Sequence, residues 1–216
     1  MNADPILTLA WLAFAHLVAD FVIQTEQIVA DKGSSGRRAW RGLTLHGAGV
    51  AICLVPVALA FGAPGAVFVA IVSISHVVID RTKVLWTRRA EARALARAHR
   101  THEAEPLEPA SSLGTAWTPI PGFLFAFDQL AHALVTLSAW AALLASAPLN
   151  AGFSDAVGRV VGAWDVAQVH RVVLTAVVLA DLLVVNVRAG LLFVATLVHP
   201  RAVVTGHVGA TPAERA

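Results

Sequence analysis

Apolar residues along this chain come in long unbroken runs, not in the strict alternation of half-buried strands. Five runs stand out, at about 5–24, 43–61, 66–85, 120–146 and 168–187. Each is close to the roughly 20 residues a helix needs to cross a hydrocarbon layer. Only helices and closed barrels satisfy every backbone group in lipid, and continuous runs belong to helices. The pattern therefore predicts an all-α fold: a polytopic transmembrane bundle of about five spans, forming a single membrane domain over residues 1–216. A further stretch, 191–198, is too short to cross and is expected to continue the fifth helix or lie at the interface.

Composition sharpens this picture. Only 14% of residues are charged, against roughly 25% in an ordinary soluble domain. The start, Met1-Asn2-Ala3-Asp4, lacks a basic segment before the first run, which therefore reads as a permanent span and not a cleaved signal. Cys53 is the one cysteine, so neither a disulfide framework nor a thiolate metal cage is available. A net charge of +2 is too small to imply a nucleic-acid partner.

Where the charges sit carries more information than their sum. The connections 24–42 and 81–119, with the chain end, hold 14 basic residues, whereas the turn at 61–65 and the stretch 147–171 hold only Arg159 and Arg171. Basic residues collect on the cytoplasmic side, which places the N-terminus outside and the C-terminus inside. Trp40, Trp86 and Trp117 then fall at the cytoplasmic headgroups, and the expected location is the inner (cytoplasmic) membrane. After Trp86 the chain reads as an Ala-rich basic helix, 86–102, a solvated extension of the third span and a surface for a protein partner. Four prolines between Glu103 and Pro121 make a loop. His99, His102, His199 and His207 read as solvated.

The informative residues are polar ones inside the apolar runs. His16 and Asp20 lie in the first, with Gln24 a turn on; His46 lies in the second, His76 and Asp80 in the third, Asp128, Gln129 and His132 in the fourth, Asp181 and Asn186 in the fifth. Three His/Asp pairs stand four residues apart, which puts both side chains on one helix face. Because successive spans alternate in direction, all of these groups fall in the same, cytoplasmic, half of the bundle. An Asp at the centre of a span costs about 2.5–3.5 kcal/mol, and no Lys or Arg lies in the inner parts of the first four spans. Arg81 and Lys83 can fold back onto one or two carboxylates, not onto all.

Imidazole and carboxylate without thiolate suit a divalent metal, zinc first, with manganese or iron as alternatives. His16, His46, His76 and His132 are the first-choice ligands. Asp20, Asp80 and Asp128 complete the coordination or act as general bases. Seven ligands exceed one tetrahedral zinc, so some orient others or two ions are bound. Asp181 and Asn186 fit this set less well.

The segments HLVADFVIQ at 16–24, HVVID at 76–80 and FDQLAH at 127–132, with the lone His46, resemble the bacterial membrane family catalogued as domain of unknown function 3307. The resemblance covers essentially the membrane region, and its HxxxDFxxQ element is the most specific part. It implies a compact helical membrane protein with no established reaction. The stretch between Trp86 and Pro121 looks peculiar to this chain.

The leading functional expectation is a metal-dependent hydrolase whose lipid-like substrate reaches the site from the headgroup layer or sideways from the bilayer. Its rivals are an ion, proton or metal carrier, and a non-catalytic membrane subunit of a larger complex. The absence of GxSxG, of a P-loop and of a Gly-rich dinucleotide fingerprint excludes several common enzyme classes.

Overall fold

The computed structural model describes residues 3–102, 120–162, 164–191 and 194. The Pro-rich segment 103–119 with Trp117, most of the short apolar stretch after Leu191, and His199 and His207 lie outside the described residues. Eight α-helices make up the described chain. Helix α1 (Pro5–Val18) starts where the Asp4 side chain accepts from the Leu7 amide at 2.8 Å. It passes directly into a wide π-helical turn, Ala19–Ile23. The short α2 (Glu26–Lys32) is capped by the Thr25 hydroxyl. There follow α3 (Gly36–Cys53), α4 (Val55–Phe61), α5 (Ala63–His102) and α6 (Ile120–Leu143). Asn150 caps α7 (Ala151–Val161), and Asp165 caps α8 (Val166–Val184), which ends in a second π-helical turn, Val185–Ala189.

Four helices are long and apolar enough to cross a membrane: Pro5–Ile23, Ala63–Ala90, Phe123–Leu143 and Ala167–Ala189. The pair Gly36–Cys53 and Val55–Phe61, bent by 45°, makes a fifth if taken as one span. Each of the five expected spans thus has a helical counterpart. The second differs from expectation by starting seven residues before the apolar run, at Gly36, and by breaking at Leu54. Pro56 accounts for the break, because its ring has no amide hydrogen and crowds the carbonyl four residues back. The basic helix after Trp86 is continuous with α5. Two short helices, α2 and α7, were not apparent from the runs, being too short for hydropathy to register.

Helix α5 is the central element, packing on α3, α4 and α6, while α8 packs against α1 on the far side. Two glycines permit the closest approaches. A side chain at Gly42 would meet the Lys32 backbone nitrogen at 2.5 Å, so only glycine lets α3 pass beneath the end of α2. Gly65 abuts the Val57 carbonyl in the same way, beside the turn that Gly62 makes at φ +62°. One end of the bundle is sealed by Leu12, Val50, Leu54, Phe61, Phe68 and Val72, with Leu144 closing over them. Outward faces carry large exposed apolar side chains, among them Ile52, Ile74, Leu134 and Leu183, which water would not favour and lipid would.

Candidate functional site

The opposite end of the same core is polar. His16 on α1 and Asp20 in the wide turn that follows it meet His46 from α3, His76 and Asp80 from α5, and Asp128 and His132 from α6. These seven side chains form three overlapping groups, His16/Asp20/His76, His46/His76/Asp80 and Asp80/Asp128/His132. Within each group the candidate ligand atoms lie within 4.8 Å of one another. Four elements separated in sequence by up to 116 positions therefore deliver their polar residues to one place, as the shared depth of those residues predicts.

The tightest part is a triangle. His76 Nε2 stands 3.0 Å from His46 Nε2 and 3.0 Å from Asp20 Oδ1, and His46 Nε2 stands 3.2 Å from that same carboxylate oxygen. A neutral imidazole carries one ring proton, so two ring nitrogens bring at most two protons to three edges and at least one edge has no hydrogen bond. Ligands at 2.0–2.1 Å from a tetrahedral ion stand about 3.3 Å apart, close to the edges seen.

His132 makes the point independently. Its Nδ1 lies 2.8 Å from the Asp128 backbone carbonyl, which can only accept, so Nδ1 carries the proton. Nε2 is left with a free lone pair, and it is buried with no hydrogen-bond partner among the described residues. Asp128 Oδ1 is buried and unpartnered in the same way. Both orphans belong to residues only 3% exposed, where an unsatisfied polar atom costs about 1–3 kcal/mol. His16, less buried, faces Gln129 Oε1 at 3.2 Å, and the Gln129 amide donates to Asp128 Oδ2 at 3.2 Å.

Sequence reasoning missed one cation altogether. Lys32, at the end of α2, is buried and places Nζ 2.6 Å from Asp80 Oδ2 and 2.6 Å from Gln24 Oε1. Counted along the chain, it belongs to a basic connection; the fold turns it back over the site. The signal was the close-approach residue Gly42, legible only once α2 is known to exist. Lys83, anticipated to fold back, donates to Asp128 Oδ2 at 2.7 Å. Arg81 does not; its guanidinium lies over the Trp40 ring, 5.9 Å from the centroid. With two lysines covering two carboxylates, Asp20 alone is left facing only imidazoles and an amide.

Around the rim, Arg38 holds Asp31 at 2.6 Å, and this hydrogen bond keeps the Asp31 carboxyl below its usual range. Arg88 donates to the carbonyls of Gly33 and Ser34, fastening α5 to the loop after α2. Asp181 and Asn186 are not among the clustered groups: Asp181 Oδ1 has no hydrogen-bond partner among the described residues, and the Asn186 amide returns to the Leu182 carbonyl.

The sequence profile of a family described as "Protein of unknown function (DUF3307)" matches residues 7–155, a stretch that takes in all seven clustered residues and stops short of α8. No curated protein and no solved structure matches the chain.

Proposed function

We propose that this chain, which belongs to the DUF3307 family of proteins of unknown function, is a multi-pass membrane protein that holds a divalent metal ion, zinc first, for hydrolysis of a lipid-like ester. The observation that carries the reading is the close approach of His46, His76 and Asp20, joined by the donor-free lone pair of His132. His16 and His132 complete the coordination. Asp80 is held by Lys32 at 2.6 Å and lies 3.5 Å from His46 Nε2, at the edge of the ligand set. Asp128 is the general base: Lys83 occupies Oδ2 while Oδ1 remains open to a water proton. Held by these residues, a divalent cation would supply Lewis acidity toward the phosphoryl or acyl oxygen under attack. Water's oxygen bonds to the phosphorus or acyl carbon, the ester bond to the alcohol breaks, and the Lys83 ammonium protonates the leaving oxygen.

A one-sided site favours a hydrolase over a carrier. Beyond the histidines the bundle is closed by the apolar cluster around Leu54, Phe61 and Phe68, whereas Gln24, Lys32 and Lys83 connect the site to the other end. The basic residues at that end, with Arg38 and Arg88, favour a cytoplasmic orientation for it. In a Cys53→Ala background, Ser35→Cys should stay unlabelled by an impermeant thiol reagent in intact cells, and Asp155→Cys should label. The opposite pattern would invert the orientation.

Asp20→Asn keeps the side chain's shape and removes its charge. With purified protein and mixed micelles of anionic phospholipid, phosphate or fatty-acid release should fall by about 10²-fold or more, with metal content falling in parallel. Metal-dependent ion flux in proteoliposomes, without any release, would replace the hydrolase by a carrier.

A further inference from the structure

We propose that the seam between α5 and α6 is a binding site for one anionic phospholipid, its phosphate held by Arg89 and Arg93 and the start of an acyl chain laid against Val78, Ile79 and Phe127. The inference rests on the membrane reading above but needs no metal.

The seam carries a groove of about 120 Å³, apolar apart from its rim, where the Lys83–Asp128 pair lies. A second recess, lined by Trp86, Arg89, Ala90, Arg93 and Leu124, shares Trp86 and Leu124 with the first, so the two form one continuous track. Chemistry changes along it in the order of an amphiphile: aliphatic at Val78, aromatic where Trp86 and Phe127 rings meet at 5.8 Å, cationic at Arg89 and Arg93. Trp86, Arg89 and Arg93 stand at spacings of three and four, which aligns them on one face of α5. From Val78 to Arg93 the helix rises about 22 Å, enough for a headgroup, its ester region and the first methylenes.

Charge complementarity identifies the occupant. Among the described residues neither Arg89 nor Arg93 has a carboxylate partner, while their neighbour Arg88 turns away to Gly33 and Ser34. Two guanidinium groups that have no carboxylate partner among the described residues, beside an aromatic ring at the mouth of an apolar groove, suit a phosphate diester with a tail. At 120 Å³ the groove is smaller than the roughly 300–1,000 Å³ of an enclosing ligand pocket, as expected where most of the tail stays in the bilayer. The ester region would then lie level with Lys83 and Asp128, beside the histidine cluster.

The test uses quenching of Trp86 in protein reconstituted with chelator into phosphatidylcholine vesicles. The Trp86 contribution is the difference between wild type and Trp86→Phe. Dibrominated phosphatidylglycerol should quench it half-maximally at a mole fraction at least about fivefold lower than dibrominated phosphatidylcholine does. Arg89→Gln/Arg93→Gln should erase that preference, and Arg89→Lys/Arg93→Lys should keep part of it. Equal quenching by the two lipids overturns the proposal, as does a preference untouched in the glutamine variant. Reversal by millimolar inorganic phosphate would also overturn it, marking a site for free anions. Because no metal or turnover is involved, failure here and failure of the hydrolase are separate results.

Discussion

Replacing His76 with alanine is expected to reduce the divalent metal of zinc-supplemented, purified protein from about one ion per chain to less than a tenth of that. His76 is shared by two of the three clustered groups and is 1% exposed, so its loss breaks both groups at once. Removing one of the five proposed ligands costs far more than the 10–100-fold in affinity typical of an orienting residue. The deletion also leaves a cavity, so a control is required. Phe68→Ala, buried in the apolar end of the same helix, should destabilise comparably and retain its metal. Elemental analysis of the two variants decides the matter. Wild-type protein that carries no metal, or a His76→Ala protein that keeps it, would end the metal reading.

The second large effect concerns Lys32. Lys32→Met should lower the midpoint of thermal unfolding in detergent by about 10 °C, because it leaves the Asp80 carboxylate buried without its cation. Breaking a buried pair from one side costs about 3–5 kcal/mol, and a chain of this size loses about 2–4 °C per kcal/mol. Lys32→Met/Asp80→Asn should recover most of the loss, since both charges are then gone. A drop under about 2 °C in the single variant would mean that Asp80 is neutralised by something other than Lys32.

These two residues also mark what could be read from the chain and what could not. His76 was legible because it is a polar residue in an apolar run, four positions from an aspartate, at a depth matched by its counterparts on three other spans. Burial in lipid is expensive enough that such a placement carries information by itself. Lys32 obeys the opposite logic. A lysine in a polar connection costs nothing there, so nothing in its neighbourhood distinguishes a solvated cation from one folded back 48 positions away onto Asp80. The helix that delivers it, α2, has seven residues, too few for a hydropathy run. The break at Leu54 was missed for a related reason: hydrophobicity is continuous across it, and only Pro56 marks it. The lone pair of His132 depends on a backbone carbonyl partner, which no side-chain pattern reports.

The wide turn at Ala19–Ile23 has a consequence for how α1 does two jobs at once. A π-helical turn holds one more residue than the α-helical turn it replaces, so it acts as a phase slip of about 100° in the helix's angular register. Upstream of the slip, α1 turns Leu12 and Ala15 to the apolar core. His16, also upstream, and Asp20, within the turn, both join the polar cluster, while Gln24, just past the turn, accepts from Lys32. A straight helix would carry Gln24 about 100° away from the direction in which it meets Lys32. The slip thus sets the direction of Gln24 apart from that of the stripe before it, so the contact with Lys32 and the packing of α1 can change without dictating each other's direction.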